Sequence, residues 1–169
     1  MKGKTVAINI WLLRREAANF TAAIVFAIVI LFYLSTAAIA QPSNNSGKAE
    51  GAIRTVLNAQ AAAWNRGDVE GYMDGYDRSP KTEFVGGDSI TRGWQEVLDR
   101  YKQKYDTRDK MGTLTFTDLE IQILSPNAAL VLGRWRLKRA NDEPHGTFTL
   151  LFRKTKAGWR IVHDHSSSA

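Results

Sequence analysis

The segment Gly146-Thr147-Phe148-Thr149-Leu150-Leu151-Phe152-Arg153, followed after a short turn by Gly158-Trp159-Arg160-Ile161-Val162-His163-Asp164-His165-Ser166, decides how this 169-residue chain folds. Phe148, Leu150 and Phe152 alternate with Thr147, Thr149 and Arg153, which is the period of a strand with one buried face. Trp159 and Ile161 alternate with Arg160 in the same way. Matching the two apolar sets pairs Phe152 with Ile161, Leu150 with His163 and Phe148 with His165. That register turns both histidines inward and Asp164 outward. It also sets Arg153 opposite Arg160, a like-charge pair that only an exposed face tolerates.

Two more long strands precede this hairpin, over Thr113–Leu124 and Ala128–Arg139. Ser125-Pro126-Asn127, Asn141-Asp142-Glu143-Pro144 and Lys156-Ala157-Gly158 supply the turns between all four. Long strands joined by short turns form an antiparallel meander. In Ala128–Arg139, Trp135 falls on the inward set and Arg134 and Arg136 on the outer set. Leu130 and Leu132 also fall outside, which makes that face unusually apolar and points to a homodimer contact.

Helical periodicity comes first in the chain. Ile53, Val56, Leu57, Gln60, Ala61 and Trp64 form one stripe over Lys48–Arg66, and Gly67 suits the left-handed stop. Asp68 caps a short second helix with Val69, Tyr72, Met73 and Tyr76 inside. Thr82–Val85 and Ile90–Arg92 read as two short strands around Gly86-Gly87-Asp88. A third helix spans Gly93–Tyr105, with Trp94, Val97, Leu98, Tyr101 and Tyr105 on one face and Arg100, Lys102 and Lys104 off it. Helices first and a long sheet second predict an α+β layer.

Residues 1–40 read as an export leader: Lys2, Lys4, Arg14 and Arg15, then the uncharged run Phe20–Leu34, then Ala38-Ile39-Ala40, a small-x-small cleavage pattern. The product would be periplasmic or secreted. The rival reading is an uncleaved anchor, since about 20 apolar residues span a bilayer; a membrane is a partner only in that case. Gln41–Gly47 reads as a linker. With Glu16, the leader holds three of the six net positive charges. The remaining charge is too small and scattered to argue for nucleic acid. No cysteine is present, which excludes thiol catalysis and zinc–thiolate sites.

The order and spacing of several pieces together resemble the nuclear transport factor 2-like superfamily, in its SnoaL-like branch. The pieces are Ala62-Ala63-Trp64-Asn65-Arg66-Gly67-Asp68 with Tyr72 and Tyr76; Phe84-Val85-Gly86-Gly87; Gly93-Trp94 with Tyr101 and Tyr105; Ala129-Leu130-Val131-Leu132-Gly133-Arg134-Trp135; and the two strands quoted first. The resemblance spans residues 48–167. It implies a cone-shaped fold in which a strongly bent antiparallel sheet and about three helices enclose an apolar pocket, often in a homodimer packed through the sheet. It implies no single function, because isomerases, cyclases, dehydratases and non-enzymatic binders share the fold.

The candidate site follows from register and resemblance together. His163 and His165 are the leading acid–base pair, since imidazole titrates near neutral pH. The competing reading makes them hydrogen-bonded core residues. A metal would need a third ligand that the pair lacks. Glu83, beside the Phe84-Val85-Gly86-Gly87 turn, could orient a histidine or act as a base. Trp64, Tyr72, Tyr76, Phe84, Trp94, Tyr101, Trp135 and Phe148 are the candidate walls for a flat or apolar ligand. The steroid isomerases of the superfamily use an aspartate base and a first-helix tyrosine; here those regions carry Glu83-Phe84 and Gln60, which makes that reaction doubtful. The chain has no phosphate loop or nucleophile elbow, and no cofactor is implied. Two functions stay open: an exported protein that binds a small, partly apolar molecule, or a cofactor-free isomerase, dehydratase or cyclase using a pocket histidine.

Overall fold

The computed structural model describes residues 44–169. The leader and its cleavage site lie outside them. Helix α1 runs Asn44–Asn65. Its first turn therefore includes Asn44–Gly47, which composition alone reads as linker. Ile53, Leu57, Gln60 and Trp64 are its buried stripe. Gly67, at φ 86°, stops it, and Asp68 caps α2 (Val69–Met73) by accepting from the Gly71 amide at 2.7 Å. After β1 (Glu83–Gly86) and β2 (Ser89–Arg92) comes α3 (Trp94–Lys104). A one-turn helix, α4 (Arg108–Met111), follows with a Thr107 cap; the sequence reading does not foresee it.

The four long strands are β3 (Thr113–Ser125), β4 (Ala128–Lys138), β5 (His145–Thr155) and β6 (Gly158–Ser166). They form the expected antiparallel meander in one curved, unclosed sheet of order β2-β1-β6-β5-β4-β3. The β1 strand joins β6 in parallel, pairing Glu83 with His163 and Val85 with His165. Burial alternates along β4 as expected. Ala129, Val131 and Leu137 are buried and Trp135 half-buried, while Arg134 and Arg136 are exposed, in ion pairs with Asp118 and Glu143. Arg153 does lie opposite Arg160.

The last hairpin departs from expectation after Phe152↔Ile161. The next pairs are Leu151↔His163, Leu150↔Asp164, Thr149↔His165 and Phe148↔Ser166. Val162 is the extra residue of a β-bulge, and one extra residue exchanges the faces of everything beyond it. The expected pairing of His163 with Leu150 and His165 with Phe148 is therefore corrected. Asp164 points inward and is 3% exposed, and His165 is exposed on the outer face. The bulge has its cause in partners distant in sequence. The Ile161 amide donates to Gly75 O and its carbonyl accepts from Asp77, both at 2.9 Å. From His163 onward the same edge of β6 pairs with β1 instead. The strand changes neighbours at Val162, and the extra residue takes up the mismatch.

Candidate functional site

Between the helices and the inner sheet face lies a cavity of about 270 Å³. Its walls are aromatic. Trp64 meets Tyr72 and Tyr105 edge-on at 5.1 and 4.7 Å between ring centres, Phe84 meets Tyr101 at 5.8 Å, and Phe116 meets Phe148 at 5.4 Å. Such edge-to-face pairs each add about 0.5–1.5 kcal/mol beyond the area they bury, which favours this arrangement of the walls. Of the eight expected wall residues, Trp64, Tyr72, Tyr76, Phe84, Tyr101, Trp135 and Phe148 line the cavity. Trp94 does not. Standing at the first position of α3, it donates to Met73 O at 3.0 Å and lies under the Arg78 guanidinium, 4.4 Å away. It ties α3 to the end of α2.

The polar end of the cavity is Asp164. Tyr76 Oη donates to its Oδ2 at 2.6 Å and Ser166 Oγ to its Oδ1 at 2.7 Å. Burial raises the Asp164 carboxyl above its ordinary value, against the opposing pull of these two hydrogen bonds and of His163 and Arg100. Burial likewise pushes Tyr72, Tyr76 and Tyr101 above the usual phenol range, and the nearby Asp164 charge adds to this. These hydroxyls stay protonated and act as fixed donors.

Gln60 enters from α1. Its amide nitrogen donates to Tyr72 O at 3.0 Å, while its Oε1 is buried without a partner among the described residues. A buried acceptor left unpaired is costly, and this one belongs to the cavity lining. Gly75 permits the arrangement, since a Cβ there would stand 2.3 Å from Gln60 Cδ.

Gly86, Gly87, Arg100, Lys104 and Ser168 are exposed or half-exposed lining residues that mark the mouth, and Tyr105, Phe116, Trp135 and Ser166 are half-buried beside them. The sequence reading sets Arg100 and Lys104 off the inner face of α3. In the structure both long side chains bend back over aromatic rings: Arg100 Cζ is 4.2 Å from the Phe84 ring centre and Lys104 Nζ is 5.5 Å from that of Tyr105.

The expected catalytic residues stand elsewhere. His163 and Glu83 do meet, with Nδ1 3.1 Å from Oε2, and Arg92 Nε donates to Glu83 at 3.0 Å. This cluster is partly solvated, and neither His163, His165 nor Glu83 lines the cavity. The His163 contact and then Arg92 hold the Glu83 carboxyl below its ordinary value. Among the described residues, no group of three His, Asp or Glu side chains is arranged to hold a metal. Asp164 is the residue that sequence reasoning passes over. A possible signal was Ser166 two positions on, since a strand puts the two on one face.

The family model described as a SnoaL-like domain matches residues 53–169. No curated protein matches the sequence. A solved structure of an NTF-2 like protein of unknown function from Shewanella oneidensis MR-1 is similar at 43% identity and a TM-score of 0.67, over 70% of this chain and 98% of that one. A nuclear transport factor 2-like superfamily protein from Salmonella enterica is similar at 23% identity and a TM-score of 0.59, over 72% and 92%. A putative scytalone dehydratase from Novosphingobium aromaticivorans shares the fold at 10% identity and a TM-score of 0.64, over 75% and 88%.

Proposed function

Since the chain belongs to the SnoaL-like branch of the nuclear transport factor 2-like superfamily, and since fold alone does not fix an activity, we propose that it is a pocket protein for a small, partly apolar molecule. The observation that carries this reading is the cavity itself: aromatic walls converging on Asp164, Tyr76 and the unpaired acceptor of Gln60. Few polar groups in an apolar cavity orient a ligand more than they attract it. The leader pattern of residues 1–40 supports export to the periplasm or beyond, which N-terminal sequencing from an envelope fraction would contradict if the protein kept its first residues. The apolar outer patch, where Leu132 is 45% exposed and Leu130 pairs with Leu151, supports a homodimer through that face; a single monomer mass by light scattering would dismiss it.

Methyl p-coumarate, a flat neutral phenol, is a suitable probe. Its titration should quench the cavity tryptophans saturably. Tyr76→Phe should weaken that binding several-fold, because the variant disturbs the donor set around Asp164. A linear, unsaturable response would remove the pocket reading.

A second reading has one observation behind it. Asp164 is a buried carboxyl whose proton affinity is raised, and it faces the cavity. Such a group can donate a hydrogen bond when protonated or accept a proton when ionised. It, rather than a histidine, would serve a cofactor-free isomerase or dehydratase. Solvent deuterium entering the carbon next to a carbonyl of a bound enone, and lost in Asp164→Asn, would support this; equal incorporation in both proteins would exclude it.

A further inference from the structure

Arg100 and Lys104 are one helical turn apart on α3, so they present two like charges side by side. The other bases of this region are matched: Lys102 pairs with Glu70, Arg92 with Glu83, Arg78 with Asp74 and Arg139 with Asp142. Among the described residues, Arg100 and Lys104 have no acid partner, and both line the cavity mouth. The nearest buried carboxylate, Asp164, already holds Tyr76 on one oxygen and Ser166 on the other.

The mouth leaves room for the Phe84 ring on which the Arg100 guanidinium lies. Gly86 carries no side chain, and a Cβ built there would stand 2.8 Å from Phe84 Cε1 and 3.5 Å from Arg100 Nη2. A third cation stands close by. The charges of Arg100 and Arg139 add to burial in lowering the Lys104 ammonium below its ordinary value. Arg139 itself has a buried Nε with no partner among the described residues. An anion at the mouth would relieve the repulsion between Arg100 and Lys104 and supply the acceptor that each of them lacks; Arg139 adds to the positive field without lining the cavity.

We propose that the cavity mouth is an anion subsite and that the ligand is a small apolar acid, its body against the aromatic walls and its carboxylate between Arg100 and Lys104. This rests on the pocket reading above and narrows it to one ligand class. Asp164 and Tyr76 then meet the far end of the molecule, and Arg100 and Lys104 read its charge.

The test compares p-coumarate with p-coumaramide, which keeps the phenol and the shape and removes the charge. At low ionic strength the acid should bind about tenfold tighter or more, as a charge-assisted contact requires. Added salt should shrink the difference. Arg100→Gln and Lys104→Gln should each erode the preference for acid over amide, with unchanged circular dichroism and urea midpoints showing that the variants are folded. Lys102→Gln, on the same helix but paired with Glu70, should leave it intact. Equal affinity for acid and amide would overturn the anion subsite and spare the pocket. A preference that survived the double replacement would also overturn it. Failure of the acid, the amide and the methyl ester alike would overturn both readings.

Discussion

The two faces of β6 hold two carboxyl sites that behave in opposite ways. Inside, Asp164 is enclosed by Tyr76 and Ser166, and burial raises its proton affinity. Outside, Glu83 meets His163 and Arg92 in partial solvent, and these contacts lower it. The sequence offers the outer cluster as the more familiar catalytic set, a carboxylate with an imidazole. Enclosure separates them: of the two, the inner site faces a cavity that a ligand could fill. Type and proximity of residues make a cluster, and burial turns one into a pocket.

The largest effect that would sharpen this contrast is at the bulge itself. Ile161 is 1% exposed and Val162 only half-buried. Ile161→Ala should cost about 2–5 kcal/mol in urea unfolding, the usual range for a sealed core site. Val162→Ala should cost well under half of that, and equal costs would mean that Val162 is as deeply buried as Ile161.

The next contrast is in pH. A carboxyl with raised proton affinity in the folded state stabilises below its ordinary value of 3.8 and loses that contribution as pH rises through the folded value. Asp164→Asn should therefore gain stability relative to the parent protein as pH rises from about 4 toward neutrality. Glu83 has the reverse sign: its contribution is present above its ordinary value of 4.5 and is lost as pH falls. Glu83→Gln should therefore lose stability relative to the parent over the same rise. Parallel pH profiles for the two variants would erase the distinction between the faces.

The smallest effect is a near-absence of effect. His165→Gln should change stability by no more than about 0.5 kcal/mol and leave probe affinity and any turnover unaltered. A lost activity there would return the chemistry to the histidines.

Most of the frame was legible because its signals are local. The apolar stripe of α1, the Gly67 stop with its Asp68 cap, the turns between long strands and the inward Trp135 each depend on a few neighbouring residues. Seven of the eight expected wall residues followed from those faces. What was not legible depends on distant partners. Nothing near Val162 announces that Gly75 and Asp77 occupy one stretch of the β6 edge and β1 the next, so the alternation set by Trp159 and Ile161 was carried one residue too far. Trp94 sits on the apolar stripe of its helix, yet Met73 O and Arg78 claim it. Arg100 and Lys104 are polar by any helical count, and only their length brings them over the cavity mouth.

The account turns on which side chains β6 sends inward, and cross-strand nuclear Overhauser contacts between β5 and β6 read this directly. Backbone contacts linking Leu150 to Asp164 and Thr149 to His165 are the result the structure requires. Contacts linking Leu150 to His163 and Phe148 to His165 would contradict it and put imidazoles, in place of Asp164, at the polar end of the cavity.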